Sequence, residues 1–196
     1  MSGADNQQER LSSQEQRRWF LAGLVEGEGS VCVSIKRHPT AAFGYIVQPE
    51  FFVYQHRNRR SLLEMAKEEF DSGTIFPKPG NEDVLVLKIA GRKVLTDRAV
   101  PFLQRYMCFS ARIADYETFA TVVHLINNGW HRTADGLADL VRLAYTMNGN
   151  GKHRRVREQD ILDRILRGHT LNALGQGEDM VRPPRRRGEL GGKETT

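Results

Sequence analysis

The chain has 196 residues, a length that favours one main domain with a buried core. Charged residues make up 27% and hydrophobic residues 39%, and no stretch approaches the roughly 20 apolar residues of a spanning helix, so a disordered polyelectrolyte and a membrane protein are both excluded. The net charge of +5 lies mostly near the end, because residues 1–147 hold 18 Lys and Arg against 17 Asp and Glu, whereas residues 148–196 hold 11 against 7. We expect a folded body in the cytosol or an organellar matrix, with a basic extension and no membrane partner.

The first predicted helix covers residues 14–28 and ends at Gly29. Residues 1–13 show no apolar period, and we expect them to be disordered. The apolar positions of the helix recur at helical spacing, at Phe20, Leu21, Leu24 and Val25.

Two predicted hairpins follow, separated by a helix. Residues 30–36 alternate strictly between apolar and polar side chains, which predicts a half-buried strand, and the β-branched and aromatic residues of 44–55 predict its hairpin partner. Residues 59–70 form an amphipathic helical pattern. The second hairpin is predicted over residues 73–78 and 84–89, on either side of a turn-rich PGNED segment.

The remainder is predicted to be helical and then disordered. Three helices are expected around residues 92–106, 110–127 and 133–147, which makes the order α-β-β-α-β-β-α-α-α. Residues 148–169 are predicted to be a basic extension with a short helix, and residues 170–196, which contain RPPRRR, a disordered tail. Such a tail is either a solvated appendage or a source of salt-sensitive affinity for a polyanion.

Two glycines inside the first helix need a physical explanation. Gly23 and Gly27 each cost the helix about 1 kcal/mol relative to alanine. At a spacing of four they create a smooth groove that a second helix backbone can approach closely. Close packing on the chain's own sheet explains the same spacing, so the pattern leaves both explanations open.

Two carboxylates in the last turn of this helix are also unusual. Glu26 and Glu28 lie at the negative end of the helix dipole, which disfavours them by some tenths of a kcal/mol. A bound divalent cation would remove the conflict, since carboxylate and carbonyl oxygens suit Mg²⁺. The alternative is that both are ordinary solvated charges.

The run LAGLVEGEG at residues 21–29 resembles the signature of the LAGLIDADG homing endonucleases, DNA-cutting enzymes often encoded within group I introns. The resemblance covers roughly residues 14–147. It implies an α+β fold with a LAGLIDADG core of order α-β-β-α-β-β-α, a four-stranded antiparallel DNA-binding saddle and additional C-terminal helices. A single motif implies a homodimer in which Ala22, Gly23 and Gly27 lie at the interface of the two motif helices.

The resemblance also implies catalytic roles for individual residues. Glu28 is expected to be the ligand of Mg²⁺ or Mn²⁺, with the Gly27 carbonyl completing the coordination. In the segment FFVYQHRNRR, Gln55 is expected to orient the attacking water and Arg59 to stabilise phosphate charge. Without the resemblance, these two residues only end a strand and begin a helix.

A further catalytic lysine of the family is missing from this sequence. The family often has it after a Pro-Phe-Leu segment, but here residues 101–103 are followed by QRYM. Arg105 is the nearest cation and is the candidate for the role, although an ordinary surface arginine would look the same.

The implied partner is double-stranded DNA, read by the saddle. A two-stranded ribbon fits the major groove, and alternate side chains of its strands reach the base edges. The candidate DNA-binding residues are Ser34, Lys36, His38, Gln48, Glu50, Tyr54 and Lys78.

The resemblance thus implies a site-specific DNA endonuclease that binds a long pseudo-palindromic site as a homodimer, hydrolyses both strands with a divalent metal and leaves short 3′ overhangs. One alternative is a DNA- or RNA-binding relative that does not cut, such as an intron maturase or a transcription regulator. A second alternative is an α+β protein-interaction domain with a basic tail.

Overall fold

The computed structural model describes residues 12–150 and 154–175 and has an α+β fold built on one four-stranded antiparallel sheet, which confirms the predicted fold class. Residues 92–106 form one continuous helix, α3, that has a π-helical segment at Leu95–Ala99. The other elements, in chain order, are α1 (Ser13–Glu28), β1 (Gly29–Arg37), β2 (Tyr45–His56), a 3₁₀ turn (Arg57–Arg59), α2 (Arg60–Phe70), β3 (Thr74–Lys78), β4 (Asn81–Ala90), α4 (Ile113–Asn127), a second 3₁₀ turn (Trp130–Arg132), α5 (Ala134–Asn150) and α6 (Glu158–Gly175).

The element boundaries differ from the predicted ones mainly at turns. β4 begins at Asn81 because the turn is short and centres on Gly80, whose φ of +79° is a conformation that glycine adopts without strain. α6 ends at Gly175, six residues inside the segment predicted to be disordered. Residues 1–11 and 176–196, on which the rest of the disorder predictions fall, lie outside the described part.

The sheet has the order β1-β2-β4-β3, so β1 and β3 are its edges. Directly paired residues of antiparallel strands point to the same face. Val31 pairs with Phe51 and Val53 with Leu87, and these apolar side chains form one face, which α1, α2, α4 and α5 cover, while α3 adds side chains to the same core. No described residue of the opposite face belongs to either apolar core cluster, and we call this the open face.

The outer edge of β1 is closed by side chains from the C-terminal half. Three carbonyls along this edge, at Gly29, Val31 and Val33, accept hydrogen bonds from Arg112 (2.6 Å), Asn148 (3.1 Å) and Arg154 (3.0 Å), respectively. An unpaired strand edge is a template for aggregation. The three donors therefore replace the missing neighbouring strand.

None of the helices in the described part is both long enough and apolar enough to cross a membrane.

Candidate active site and nucleic-acid interface

The junction between α1 and β1 depends on a glycine. Gly29 is extended (φ −86°, ψ 157°), and its N–H donates to the Val25 carbonyl. A Cβ at Gly29 would lie 2.5 Å from that carbonyl oxygen, a distance that real Cβ atoms do not adopt. The chain can therefore pass from helix to strand without a loop, which places Glu28 as the last helical residue, exposed and without a side-chain hydrogen bond or ion pair among the described residues.

An arginine that was absent from the predicted site holds this helix end. Arg112 donates to the carbonyls of Val25 (3.0 Å), Glu26 (2.8 Å) and Gly29 (2.6 Å). A cation at a helix C-terminus satisfies carbonyls that have no intrahelical partner and interacts favourably with the dipole. Arg112 thus offsets the unfavourable position of the two last-turn carboxylates, and it leaves the Gly27 carbonyl out of its set of acceptors.

Gln55 and Arg59 lie at the same end of the sheet as Glu28. Gly29 at the start of β1 pairs with Val53, and Gln55 follows two residues later at the end of β2. Gln55 is buried, and its Oε1 accepts the His56 N–H at 2.9 Å, which fixes the orientation of the amide. Arg59 is exposed in the following 3₁₀ turn and forms no side-chain hydrogen bond or ion pair with the described residues. The topology therefore brings these three predicted catalytic residues to one region.

Arg105 does not lie in this region, contrary to prediction. Its guanidinium pairs with Glu15 at 3.3 Å, in the first turn of α1. A hydrogen bond from Tyr106 (2.8 Å) lowers the pKa of the same carboxyl group. Because Glu15 precedes Glu28 by 13 helical residues, the two ends are about 20 Å apart. α3 packs near the N-terminal end of α1, so Arg105 does not reach Glu28 at the C-terminal end of the same helix.

The two motif glycines face away from the rest of the described structure. A Cβ built at Gly23 or Gly27 would find no atom within 4 Å, so packing on the chain's own sheet does not explain these residues. Phe20 lies on the same face and is 56% exposed, although its spacing suggested a core position. Ala22, predicted at the interface, is instead 6% exposed and part of the core, because it points inward beside Leu21.

The predicted DNA-binding residues of the strands share the open face. Register pairs Ser34 with Gln48, and Lys78 lies over the Tyr54 ring at 5.5 Å. The Lys36 ammonium donates to the Gln48 side-chain oxygen at 2.8 Å. His38 lies beyond β1 in the loop, with Nδ1 3.1 Å from the Thr40 hydroxyl.

Two residues of the open face differ from the prediction. The side chain of Glu50 is only 5% exposed, so a direct DNA contact by this carboxylate is not supported. Lys88 shares the face through its pairing with Phe52, and its ammonium contacts Glu50. The sequence of β4 is so evenly apolar that it does not indicate which face of the sheet carries Lys88. The strand register assigns Lys88 to the open face.

The sequence and the fold both resemble those of known proteins. The sequence model of the LAGLIDADG endonuclease family matches residues 21–123. The DNA endonuclease I-CeuI of Chlamydomonas moewusii is 37% identical over 125 residues, which cover 62% of this chain and 57% of that relative. The homing endonuclease I-ApeII of Aeropyrum pernix is 26% identical over 150 residues, which cover 75% of this chain and 88% of that relative.

Solved structures agree with these sequence matches. The group I intron-encoded homing endonuclease I-CeuI complexed with DNA superposes with a TM-score of 0.73 at 29% identity, over 80% of this chain and 79% of that one. The archaeal intron-encoded homing endonuclease I-Vdi141I complexed with DNA gives 0.73 at 26% identity, over 80% of this chain and 99% of that one.

The present chain spans less than two thirds of the curated I-CeuI sequence. The region that the family model matches nevertheless includes the second half of α1 from Leu21 onward, the whole sheet, the helix-end arginine and most of α4. Because the family model covers more than half of the chain, the protein belongs to the LAGLIDADG endonuclease family.

Proposed function

We propose that the protein is a site-specific DNA endonuclease that acts as a homodimer, with one acidic helix end for each strand of the duplex. The observation that carries this proposal is that α1 has both an exposed glycine face and an exposed carboxylate at its C-terminal end. Gly27 of that face is directly followed by Glu28. Two copies that pack through Gly23 and Gly27 therefore bring their Glu28 side chains close to one axis.

The donor set at this end fits a divalent cation shared with substrate. The described residues contain no cluster of three or more His, Cys, Asp and Glu that could hold a metal. Mg²⁺ commonly needs only one or two carboxylates, with waters and substrate phosphates filling the other positions. Glu28 and the Gly27 carbonyl would hold Mg²⁺ or Mn²⁺. When bound there, such an ion polarises the scissile phosphate and lowers the pKa of a bound water.

The surrounding residues of the chain supply orientation and charge. Gln55, whose amide is held by the His56 N–H, orients the attacking water. Arg59, exposed beside it, stabilises charge that develops on the phosphate. Arg112, rather than Arg105, is the cation beside the acidic helix end, and it acts by holding the backbone there.

The open face of the sheet would read the duplex. Lys36, Gln48 and Lys78 present donors and acceptors from an antiparallel ribbon that matches the width of the major groove. The I-CeuI and I-Vdi141I structures are both of intron-encoded homing endonucleases complexed with DNA. We infer that this protein also binds double-stranded DNA and is encoded within an intron, and that it acts in the compartment that holds the host gene.

The experiment is selection of the full chain on a randomised duplex library, followed by cleavage assays. We expect one pseudo-palindromic site that is cut in Mg²⁺ and bound without turnover in Ca²⁺. Specific binding without cleavage in Mg²⁺ or Mn²⁺ would identify a non-cutting relative. Absence of salt-dependent affinity for any duplex would instead favour a protein-interaction domain.

The variant Glu28→Gln tests the assignment of the acidic helix end. It removes the charge that holds the metal but few DNA contacts, so we expect cleavage to be lost and affinity for the selected site to stay nearly unchanged. Glu26→Gln is the matched control, because its side chain lies on the same helical turn. Cutting by Glu28→Gln at the wild-type rate would refute the assignment.

A further inference from the structure

A buried carboxylate lies in the middle of the open face. Glu50 is on β2, between β1 and β4, and its side chain is only 5% exposed. The Ser34 hydroxyl donates to its Oε2 at 3.1 Å, and the Lys88 ammonium contacts its Oε1. The Lys36 ammonium lies 4.0 Å from the same Oε1. A buried charge is costly unless it is paired, and this carboxylate is paired with two cations.

The two lysines above it are more exposed than the acid. The Lys36 side chain is 50% exposed and that of Lys88 is 32% exposed. Each has a second contact, because Lys36 donates to Gln48 at 2.8 Å and Lys88 lies over the Phe52 ring at 5.9 Å. A lysine is otherwise a flexible chain whose ordering costs entropy. Glu50 therefore holds both ammonium groups in place, and the cluster keeps one net positive charge.

We propose that Glu50 is a positioning residue for DNA readout and that Lys88, together with Lys36, determines specificity. The partly exposed side chains of Lys36 and Lys88 donate to the paired acceptors O6 and N7 of guanine, which the major groove presents. A carboxylate that read a cytosine amino group would have to reach the surface, and that of Glu50 is covered. The inference rests on the proposed function, since it needs a specific duplex.

The test compares base preferences of the full chain and its variants across all single-base changes of the selected site. We expect Lys36→Gln and Lys88→Gln each to relax the preference for guanine by about tenfold at one or two symmetric half-site positions. Glu50→Gln should relax the positions of both lysines together. In the double lysine variant, adding Glu50→Gln should change little, because there is nothing left to position.

The control for charge is Glu117→Gln, an exposed residue on α4, which packs against the covered side of the sheet. Glu117→Gln raises the net charge by the same amount as Glu50→Gln, so both variants should bind unrelated duplexes somewhat more tightly than the wild type does. Only Glu117→Gln should keep the wild-type base preferences.

Three outcomes would overturn the inference. The first is a Glu50→Gln variant that keeps the wild-type base preferences, as Glu117→Gln should. The second is a Glu50→Gln variant whose base preference changes at positions that neither lysine variant affects, which would indicate direct readout by Glu50. If Glu50→Gln does not fold, Lys88→Gln decides alone, and unchanged preferences in that variant refute the role. Failure of the wild type to select any site would refute the proposed function itself, which is a distinguishable result.

Discussion

Arg112 shows how one side chain can support a site without belonging to it. It spans 83 to 87 residues of sequence to reach the last carbonyls of α1 and the first carbonyl of β1. The Glu28 carboxylate and the Gly27 carbonyl are carried by the same few residues of backbone. Movement of this helix end would therefore displace both of the groups proposed to hold the metal.

We expect Arg112→Gln to destabilise the protein by about 2 kcal/mol, because hydrogen bonds from a charged donor are lost at carbonyls that are partly buried. The melting temperature should fall by about 4–8 °C. Cleavage should need more Mg²⁺ to reach half its maximum rate. Calorimetric unfolding and a metal titration measure the two effects.

Arg142→Gln is the control for this change. Arg142 forms an exposed pair with Asp139 at 2.7 Å, and such pairs contribute little to stability. Its stability should stay within about 0.5 kcal/mol of wild type. Equal effects of the two substitutions would contradict the special role of Arg112.

At the scale of elements, α1 has one face in the core and one face without a neighbour in the described structure. Leu21 and Val25 are fully buried, whereas Gly23 and Gly27 are exposed with no neighbours. An exposed helix normally loses stability through glycine, so these residues are unfavourable for the isolated chain. The homodimer proposed above would place a second copy of the same helix against them.

We expect Gly27→Ala to leave the isolated fold intact, or to stabilise it by up to about 1 kcal/mol, because alanine favours the helix and meets no atom. The dimer should weaken, since added carbons have no space in a close helix crossing, and Gly27→Leu should weaken it further. Sedimentation measures association, and circular dichroism checks the fold.

Lys67→Leu, at an exposed position of α2, is the control for added apolar surface and should leave association unchanged. If Gly27→Leu also stayed fully dimeric and active, the glycine face would have to contact something other than a second copy.

The edge of β1 illustrates how a distant segment completes a strand. The backbone departs from the helical conformation at Met147, Asn148 and Gly149, near the end of α5. Asn148 has a left-handed backbone (φ 51°), and its side chain donates to the Val31 carbonyl at 3.1 Å. Its N–H donates to Asp115 at 2.9 Å. Asparagine tolerates this backbone conformation better than most residues.

The pair Asn148→Gly and Asn148→Ala separates the two contributions. Asn148→Gly loses only the side-chain hydrogen bond, which costs about 1 kcal/mol, whereas Asn148→Ala adds the strain of a left-handed alanine and should cost about 2–3 kcal/mol. Urea unfolding measures both. Equal losses would show that the backbone conformation contributes nothing.

At the scale of the whole molecule, positive charge is divided between the fold and the C-terminal end. Residues 182–187 alone contain four arginines, and they lie after α6, which ends at Gly175. The fold instead has its cations at particular positions, such as Lys36 and Lys88 on the open face. The arginines near the C-terminal end would raise the affinity for any polyanion, whereas cations at fixed positions on the open face can favour one DNA sequence over another.

Deletion of residues 176–196 should therefore lower affinity for all duplexes alike and leave base preferences unchanged. The slope of log affinity against log salt should become shallower by about 1 for each phosphate that the deleted segment neutralises in the full chain. Replacing the four arginines of residues 182–187 by glutamine should reproduce the effect. A change of base preference in either variant would show that the end of the chain takes part in readout.

Local structure and family membership could be predicted from the order of residues alone. Periods of 3.6 and 2 residues depend only on which side chains face a core, so α1, both hairpins and α2 could be predicted to within a few residues. The acidic end of α1 and the position of Gln55 followed from short motifs.

Contacts between residues that are far apart in the sequence depend on the tertiary structure. Arg112 reaches α1 from a loop more than 80 residues away, and no local pattern distinguishes it from Arg105, which pairs with Glu15 instead. The roles of Glu50 and Lys88 likewise depend on the register of β2 and β4. Burial and pairing are properties of the packed molecule, and a one-dimensional pattern of residue types does not contain them.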